Sequence, residues 1–174
     1  MRLIALYAIL TFFALAIQTI VPRWLPLNSL MPNLVIILAV DLGLRHRRAL
    51  APVIAFAMGY AMDAFAGAQL GINSFVVTAI YLLSYFVSSA MGSVPAQAGA
   101  MLVFLAVVAE NLGSYLLSTQ FTGTEALAAL LAPAALQGAV TALFSPLVFG
   151  LLEWASAVTG LTPRRATNRS LRGA

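Results

Sequence analysis

Apolar residues run in long blocks along this chain, and the polar positions fall mostly where the blocks end. A helix needs about 20 mostly apolar residues to cross a bilayer. The first block, Leu3 to Val21, meets that length and closes on Pro22-Arg23-Trp24, with Trp24 suited to an interface. The second, Leu25 to Leu44, is broken early by Pro26 and Asn28. Its regular helix is expected to begin at Asn33, after Pro32, with the preceding stretch re-entrant or interfacial. Arg45 to Arg48 stops it. The third runs Ala49 to Ala66, with Pro52 in its first turn, where a missing N–H costs little. Gly67 to Gly71 reads as a turn. The fourth block is Ile72 to Met91, ended by Gly92-Ser93-Val94-Pro95, and the fifth is Ala96 to Leu117. Ser118 to Thr124 is a polar loop, and Glu125 to Ala132 reads as a short surface helix. The sixth block, Ala134 to Val158, carries Pro146 as an expected kink. The pattern predicts an all-α, polytopic membrane protein with about six transmembrane helices in one bundle. Residues 1–160 form its transmembrane domain and residues 161–174 a basic tail.

Composition removes the soluble alternatives. Hydrophobic residues make up 62% of the 174 and charged residues 8%, against about a quarter charged in a soluble domain. There is no cysteine, so disulfides and thiolate metal sites are not in play. All nine cations are arginine, and their placement decides what the basic balance means. Arg45, Arg47 and Arg48 share one loop, and Arg164, Arg165, Arg169 and Arg172 share the tail. Such clusters beside apolar spans set orientation and attract anionic lipid on the cytoplasmic leaflet. With six spans, Arg2 and both clusters lie on one side and only Arg23 opposite, which makes both termini cytoplasmic. Five spans would split the clusters. Nucleic acid is not an expected partner, because no binding module or aromatic-basic interleaving is present. Span one carries a weak cleavage-like pattern at Ala14-Leu15-Ala16, but its apolar run continues past it, so it reads as an uncleaved helix.

The polar residues inside the spans are the candidates for function. Asp63 lies on a stripe of small residues four apart: Ala51, Ala55, Gly59, Asp63, Gly67, Gly71. In a helix that spacing follows one face and admits close backbone approach, although Gly67 to Gly71 is already turn. An ionisable residue at membrane depth points to function; the competing reading is that Asp63 only bonds a neighbouring helix and fixes packing. Glu110 in span five lies at a similar depth. Gln18 is in the outer third of span one, Asn33 and Asn73 open spans two and four, and Gln137 lies early in span six. A shared polar site around Asp63 and Glu110, with Arg23 as the outer cation able to pair with either, is one reading. Ordinary polar tolerance near an interface is the other. Asp41 precedes Arg45 by four residues, which suits an ion pair near the headgroups. Glu153 and Trp154 read as interface residues, and His46 as solvated. The chain contains no HExxH, G-x-S-x-G, P-loop or Cys/His cluster, so no catalytic residue, cofactor or metal is expected.

Three stretches, Ala16-Ile17-Gln18-Thr19-Ile20-Val21-Pro22-Arg23-Trp24, then Met31-Pro32-Asn33-Leu34-Val35 with the loop Arg45-His46-Arg47-Arg48, then Ala55 to Asp63 followed by Gly67 and Leu70-Gly71, resemble the rod shape-determining protein MreD family. The family's Gly-x-x-x-Asp stands here as Gly59 to Asp63, and Ala55 replaces a frequent glycine. The last two spans match in character, including the acidic residue of span five. The resemblance implies a non-enzymatic scaffold of the bacterial cell-elongation machinery, multi-pass in the inner membrane. It implies an MreC-like partner, RodA with the elongation transpeptidase, an MreB-like actin homologue and membrane lipid around it. The alternative is a substrate-binding subunit of an energy-coupling-factor vitamin transporter. That class commonly carries Ala-x-x-x-Ala in span one, whereas here Ile9 follows Ala5 and Gln18 follows Ala14.

Overall fold

The computed structural model describes residues 2–24, 31–46, 49–67, 70–92, 94–117 and 124–160. Among these the chain is all-helical, in the order α1 (Arg2–Trp24), α2 (Leu34–Arg45), α3 (Ala51–Ala66), α4 (Ile72–Met91), α5 (Ala96–Leu117) and α6 (Thr124–Val158). The stretch before Met31, the loop after Leu117, Arg47, Arg48, the tail from Leu161 and the side chain of Arg23 lie outside the described residues.

The centre of the bundle is its shortest helix. Every residue of α2 from Val35 to Gly43 is buried, and α2 packs against all five other helices. A helix apolar all round belongs in a core rather than at a surface. Its 12 residues reach only about 18 Å, short of the about 30 Å of bilayer hydrocarbon. Residues 31–33, which lead into it, are not helical. Two hairpins flank it, α3–α4 and α5–α6, and α1 lies against α2 and α3.

Glycine sets how closely these helices approach. A Cβ on Gly43 would stand 2.6 Å from the Tyr81 carbonyl oxygen and 2.7 Å from Ser84 Cβ, so α2 and α4 touch backbone to side there. A Cβ on Gly59 would stand 2.4 Å from the Asn73 carbonyl oxygen and 2.5 Å from Ser74 Cα, so α3 and α4 touch backbone to backbone. The inner stripe Ala51, Ala55, Gly59 and Asp63 is buried as the spacing predicts. Gly67 and Gly71 play another part. They have φ of 62° and 103° with nothing within 4 Å of an added Cβ, so they supply left-handed turn geometry and not close packing.

The outer surface suits acyl chains. Phe12, Phe13, Phe56, Phe75, Phe86, Leu143 and Leu147 are all exposed. Four helical stretches are long and apolar enough to cross a membrane: Leu3–Val21, Ile72–Met91, Gln97–Leu117 and Ala129–Val158. The 16-residue α3 is apolar but shorter.

The expected surface helix Glu125 to Ala132 is not separate. Residues 124–158 form one 35-residue helix containing Pro133 and Pro146. A proline removes only its own N–H and leaves one carbonyl without its usual donor, while the Ala- and Leu-rich sequence on both sides favours helix. At Pro146 the freed carbonyl is that of Ala142, and Ser145 Oγ donates to it at 2.8 Å. A hydroxyl thus satisfies the carbonyl that proline frees, as membrane helices require, without replacing the backbone bond.

Orientation rests on the arginine asymmetry. A periplasm-dependent phosphatase fused after Ala174 is expected to be inactive and a fluorescent protein at the same point bright. The opposite pair of results overturns a cytoplasmic C-terminus.

Candidate functional site

Three polar networks lie within the bundle. The first belongs to Asp63, which is fully buried. Its carboxylate projects from the last turn of α3 onto the first turn of α4. Oδ2 accepts from the Gly71 N–H at 2.8 Å, the Ser74 N–H at 3.3 Å and the Ser74 hydroxyl at 3.3 Å. Oδ1 accepts from the Asn73 N–H at 3.2 Å. A helix leaves its first N–H groups without internal acceptors. The residue at the N-cap of α4 is Gly71, whose own side chain cannot help. Asp63 does so from the neighbouring helix, where its negative charge also complements the helix dipole. The packing reading of Asp63 describes this geometry.

The second network gathers α1, α2, α5 and α6 around the non-helical residues that lead into α2. Gln18 Nε2 donates to the Pro32 carbonyl at 3.0 Å and to Asn33 Oδ1 at 3.4 Å. Asn33 caps its own helix, with Oδ1 accepting from the Ile36 N–H at 3.3 Å. Its backbone N–H donates to Thr141 Oγ1 at 3.0 Å. Its Nδ2 approaches Glu110 Oε2 at 3.5 Å. Asn111 Nδ2 donates to Glu110 Oε2 at 3.2 Å and to Gln137 Oε1 at 3.0 Å. Gln137 Nε2 reaches the Met31 carbonyl at 3.5 Å. Non-helical backbone at membrane depth must be bonded by protein or lie on a water-filled cavity. Here amides from α1 and α6 bond it from two sides.

Gln18, Asn33, Glu110 and Gln137 therefore converge as the shared-site reading expects, and Asn111 and Thr141 join them. Asp63 does not. It bonds the α3–α4 turn, and no hydrogen bond joins it to Glu110 among the described residues. The nearest link is indirect: Ser114 Oγ, one turn beyond Glu110, donates to Asn73 Oδ1 at 3.0 Å. Depth placed the two carboxylates in one layer, but their faces differ. Arg23 cannot be placed against either, since its side chain lies outside the described residues. Gly59 lies one turn before Asp63 and brings α4 into its reach, while Gly67 and Gly71 shape the turn that is capped.

The third network lies at the other end of α2. Arg45 Nε pairs with Asp41 Oδ1 at 2.6 Å, the i,i+4 pair that spacing predicts. Asp41 Oδ2 accepts from the Tyr7 hydroxyl at 2.8 Å. Both Asp41 and Tyr7 are buried, at 2% and 1% exposure, so the Asp41 end of the pair is enclosed by protein. Arg45 also reaches α6, with Nη2 at 3.4 Å from the Phe149 carbonyl, Nη1 at 3.6 Å from Glu153 Oε2, and the guanidinium over the Phe149 ring at 5.9 Å. Glu153 thus has a role beyond the interface. His46 is buried and meets the edge of the Tyr7 ring at 5.8 Å, which corrects its reading as solvated. A tyrosine six residues into an apolar helix gave no sequence signal of its acidic partner 34 positions later.

Among the described residues no group of three or more His, Cys, Asp or Glu side chains could hold a metal ion. What this arrangement does is join helices: each network spans at least two, and the second spans four.

Comparison with known proteins gives one family. The family model described as rod shape-determining protein MreD matches residues 1–155. No curated protein and no solved structure matches the chain.

Proposed function

The chain belongs to the MreD family, and from that premise we propose that it is a non-enzymatic scaffold of the bacterial cell-elongation complex. It is a rod shape-determining, multi-pass protein of the inner membrane, of a family that forms part of the rod-shape complex with MreC and MreB. Within that assembly the proposed contacts are an MreC-like membrane helix, and through it RodA and the elongation transpeptidase. An MreB-like filament lies on the cytoplasmic side, directly or through MreC. Membrane lipid surrounds the exposed apolar faces.

The observation that carries this reading is the family match over residues 1–155, which reaches into the last helix. The geometry supports it. Buried polar side chains are engaged with neighbouring helices and with the irregular backbone at residues 31–33. Groups used this way fix one arrangement of the bundle, which a scaffold needs in order to present constant surfaces. Gly59, Gly67, Gly71 and Asp63 shape the α3–α4 hairpin in this proposal, and Gln18, Asn33 and Glu110 hold α2 among its neighbours. Arg23 is retained as a candidate on the outer side.

The test is complementation. Cells depleted of their own copy are expected to round up and to recover rod shape when this chain is expressed, with an MreC-like protein co-purifying from mild detergent. Recovery of shape without any such partner overturns the scaffold role. Failure to restore shape together with partner-dependent vitamin uptake supports the transporter alternative instead.

A further inference from the structure

We propose that the cytoplasmic-side third of α6, from Pro146 to Val158, is a hinged arm that docks on α2 through Arg45. The helix is held differently on either side of Pro146. Before it, Gln137 and Thr141 are bonded into the network around Asn33, and a Cβ on Gly138 would stand 3.1 Å from the Phe104 ring. After it, Arg45 of α2 reaches the Phe149 carbonyl at 3.4 Å and Glu153 at 3.6 Å. The ring of Phe149 completes the seat by lying under the guanidinium and against Gly99.

Between these two attachments the helix is weakened. Pro146 lacks an N–H, and the Ala142 carbonyl is bonded by the Ser145 side chain instead of by backbone. A side-chain bond tolerates a change of helix direction that a rigid i to i−4 backbone bond resists, and proline is the commonest site of sharp helix kinks.

Arg45 has two sets of acceptors of unequal strength. Its short contact is to Asp41 on its own helix, at 2.6 Å, and Asp41 is also held by Tyr7. Its contacts to α6 are longer. When the arm leaves, Arg45 keeps its buried partner, so undocking strands no charge. That asymmetry makes the Arg45–α6 contact a releasable latch. The arm is about 18 Å long, and a tilt of about 20° at Pro146 moves its tip by about 6 Å.

Spin-label distances on the full chain in lipid nanodiscs test this. The chain has no cysteine, so introduced pairs are unique. One pair is Leu50→Cys with Val158→Cys, reading the arm; the other is Leu50→Cys with Leu143→Cys, reading α6 before the hinge. All three positions are exposed. In the parent chain both pairs are expected to give one main distance. Arg45→Met is expected to shift or broaden the Val158 distance by about 6 Å and to leave the Leu143 distance unchanged. Adding Pro146→Ala to Arg45→Met is expected to narrow the Val158 distribution again. Unchanged distances in Arg45→Met overturn the latch. Movement of both pairs together overturns the hinge, because it reports general loosening. An unaltered broad distribution after Pro146→Ala also overturns the hinge.

Discussion

Replacing Gly59 with leucine is expected to prevent the bundle from assembling, and even Gly59→Ala is expected to lower its thermal stability sharply. The first added carbon would stand 2.4 Å from the Asn73 carbonyl oxygen, 2.5 Å from Ser74 Cα and 2.7 Å from the Asn73 carbonyl carbon. All three are backbone atoms, so no rotamer change relieves the clash. Overpacking a core costs about 1–3 kcal/mol when side chains can adjust; here α4 itself must move. Asn73 and Ser74 are also the residues whose N–H groups Asp63 binds. A shift of α4 away from Gly59 therefore stretches the Asp63 bonds as well, and the two losses add. Two other glycines calibrate the effect. Gly150→Ala adds a methyl in open space and is expected to be neutral or to stabilise by up to about 1 kcal/mol. Gly67→Ala meets no atoms but keeps a φ of 62°, and is expected to cost about 1–2 kcal/mol through backbone strain alone. Melting temperatures of the purified chain in one detergent rank the four proteins. A Gly59→Ala variant as stable as Gly150→Ala removes the close approach from the account.

What could be read from the sequence follows from which signals are local. The bounds of α4 and α5 were legible because Gly71, Gly92 and Pro95 punctuate the chain. The start of α2 was legible because Pro32-Asn33 combines a helix stop with a helix cap. The stripe of small residues announced the face of α3 that packs. The remainder is tertiary. Gly43 stands alone in an apolar run, and only the α2–α4 crossing reveals why it has no side chain. Tyr7 and Asp41 meet across two helices. Glu110 and Asp63 share a depth, and depth does not fix azimuth; a helix turns about 100° per residue. The partners of Asp63 are backbone N–H groups, which leave no residue signature, so its capping role was not legible although its burial was. The separate helix expected over Glu125 to Ala132 failed because the Ala- and Leu-rich flanks of Pro133 carry α6 through it as one helix.

Asp63 gives the second large effect, and the choice of substituent separates acceptor count from charge. Two carboxylate oxygens accept three backbone N–H groups and one hydroxyl. Asparagine keeps one of those oxygens. Placed where Oδ2 lies, it retains Gly71 and Ser74, but its amide nitrogen then faces the Asn73 N–H, donor against donor. It also removes the negative charge at the helix start, worth about 0.3–1 kcal/mol in ordinary settings. Asp63→Asn is thus expected to be weakened by about 1–3 kcal/mol, one lost bond with its donor left unsatisfied. Leucine removes every acceptor. Gly71 is exposed and can turn to water, whereas Ser74 is fully buried and its N–H has no replacement. With the Asn73 N–H also stranded, the loss is at least about 2–6 kcal/mol, a large share of the about 5–15 kcal/mol that holds a typical domain. Glutamate keeps the charge but adds a methylene at a position with no exposed surface, and is expected to fall below asparagine. The readouts are melting temperature, amide hydrogen exchange at Asn73 and Ser74, and recovery of rod shape at matched protein levels. The expected order is aspartate, asparagine, glutamate, leucine, with exchange at residues 73 and 74 rising along it. Glutamate outranking asparagine would place charge above geometry, and a leucine variant with protected amides at both positions would show that α4 is capped by something other than Asp63.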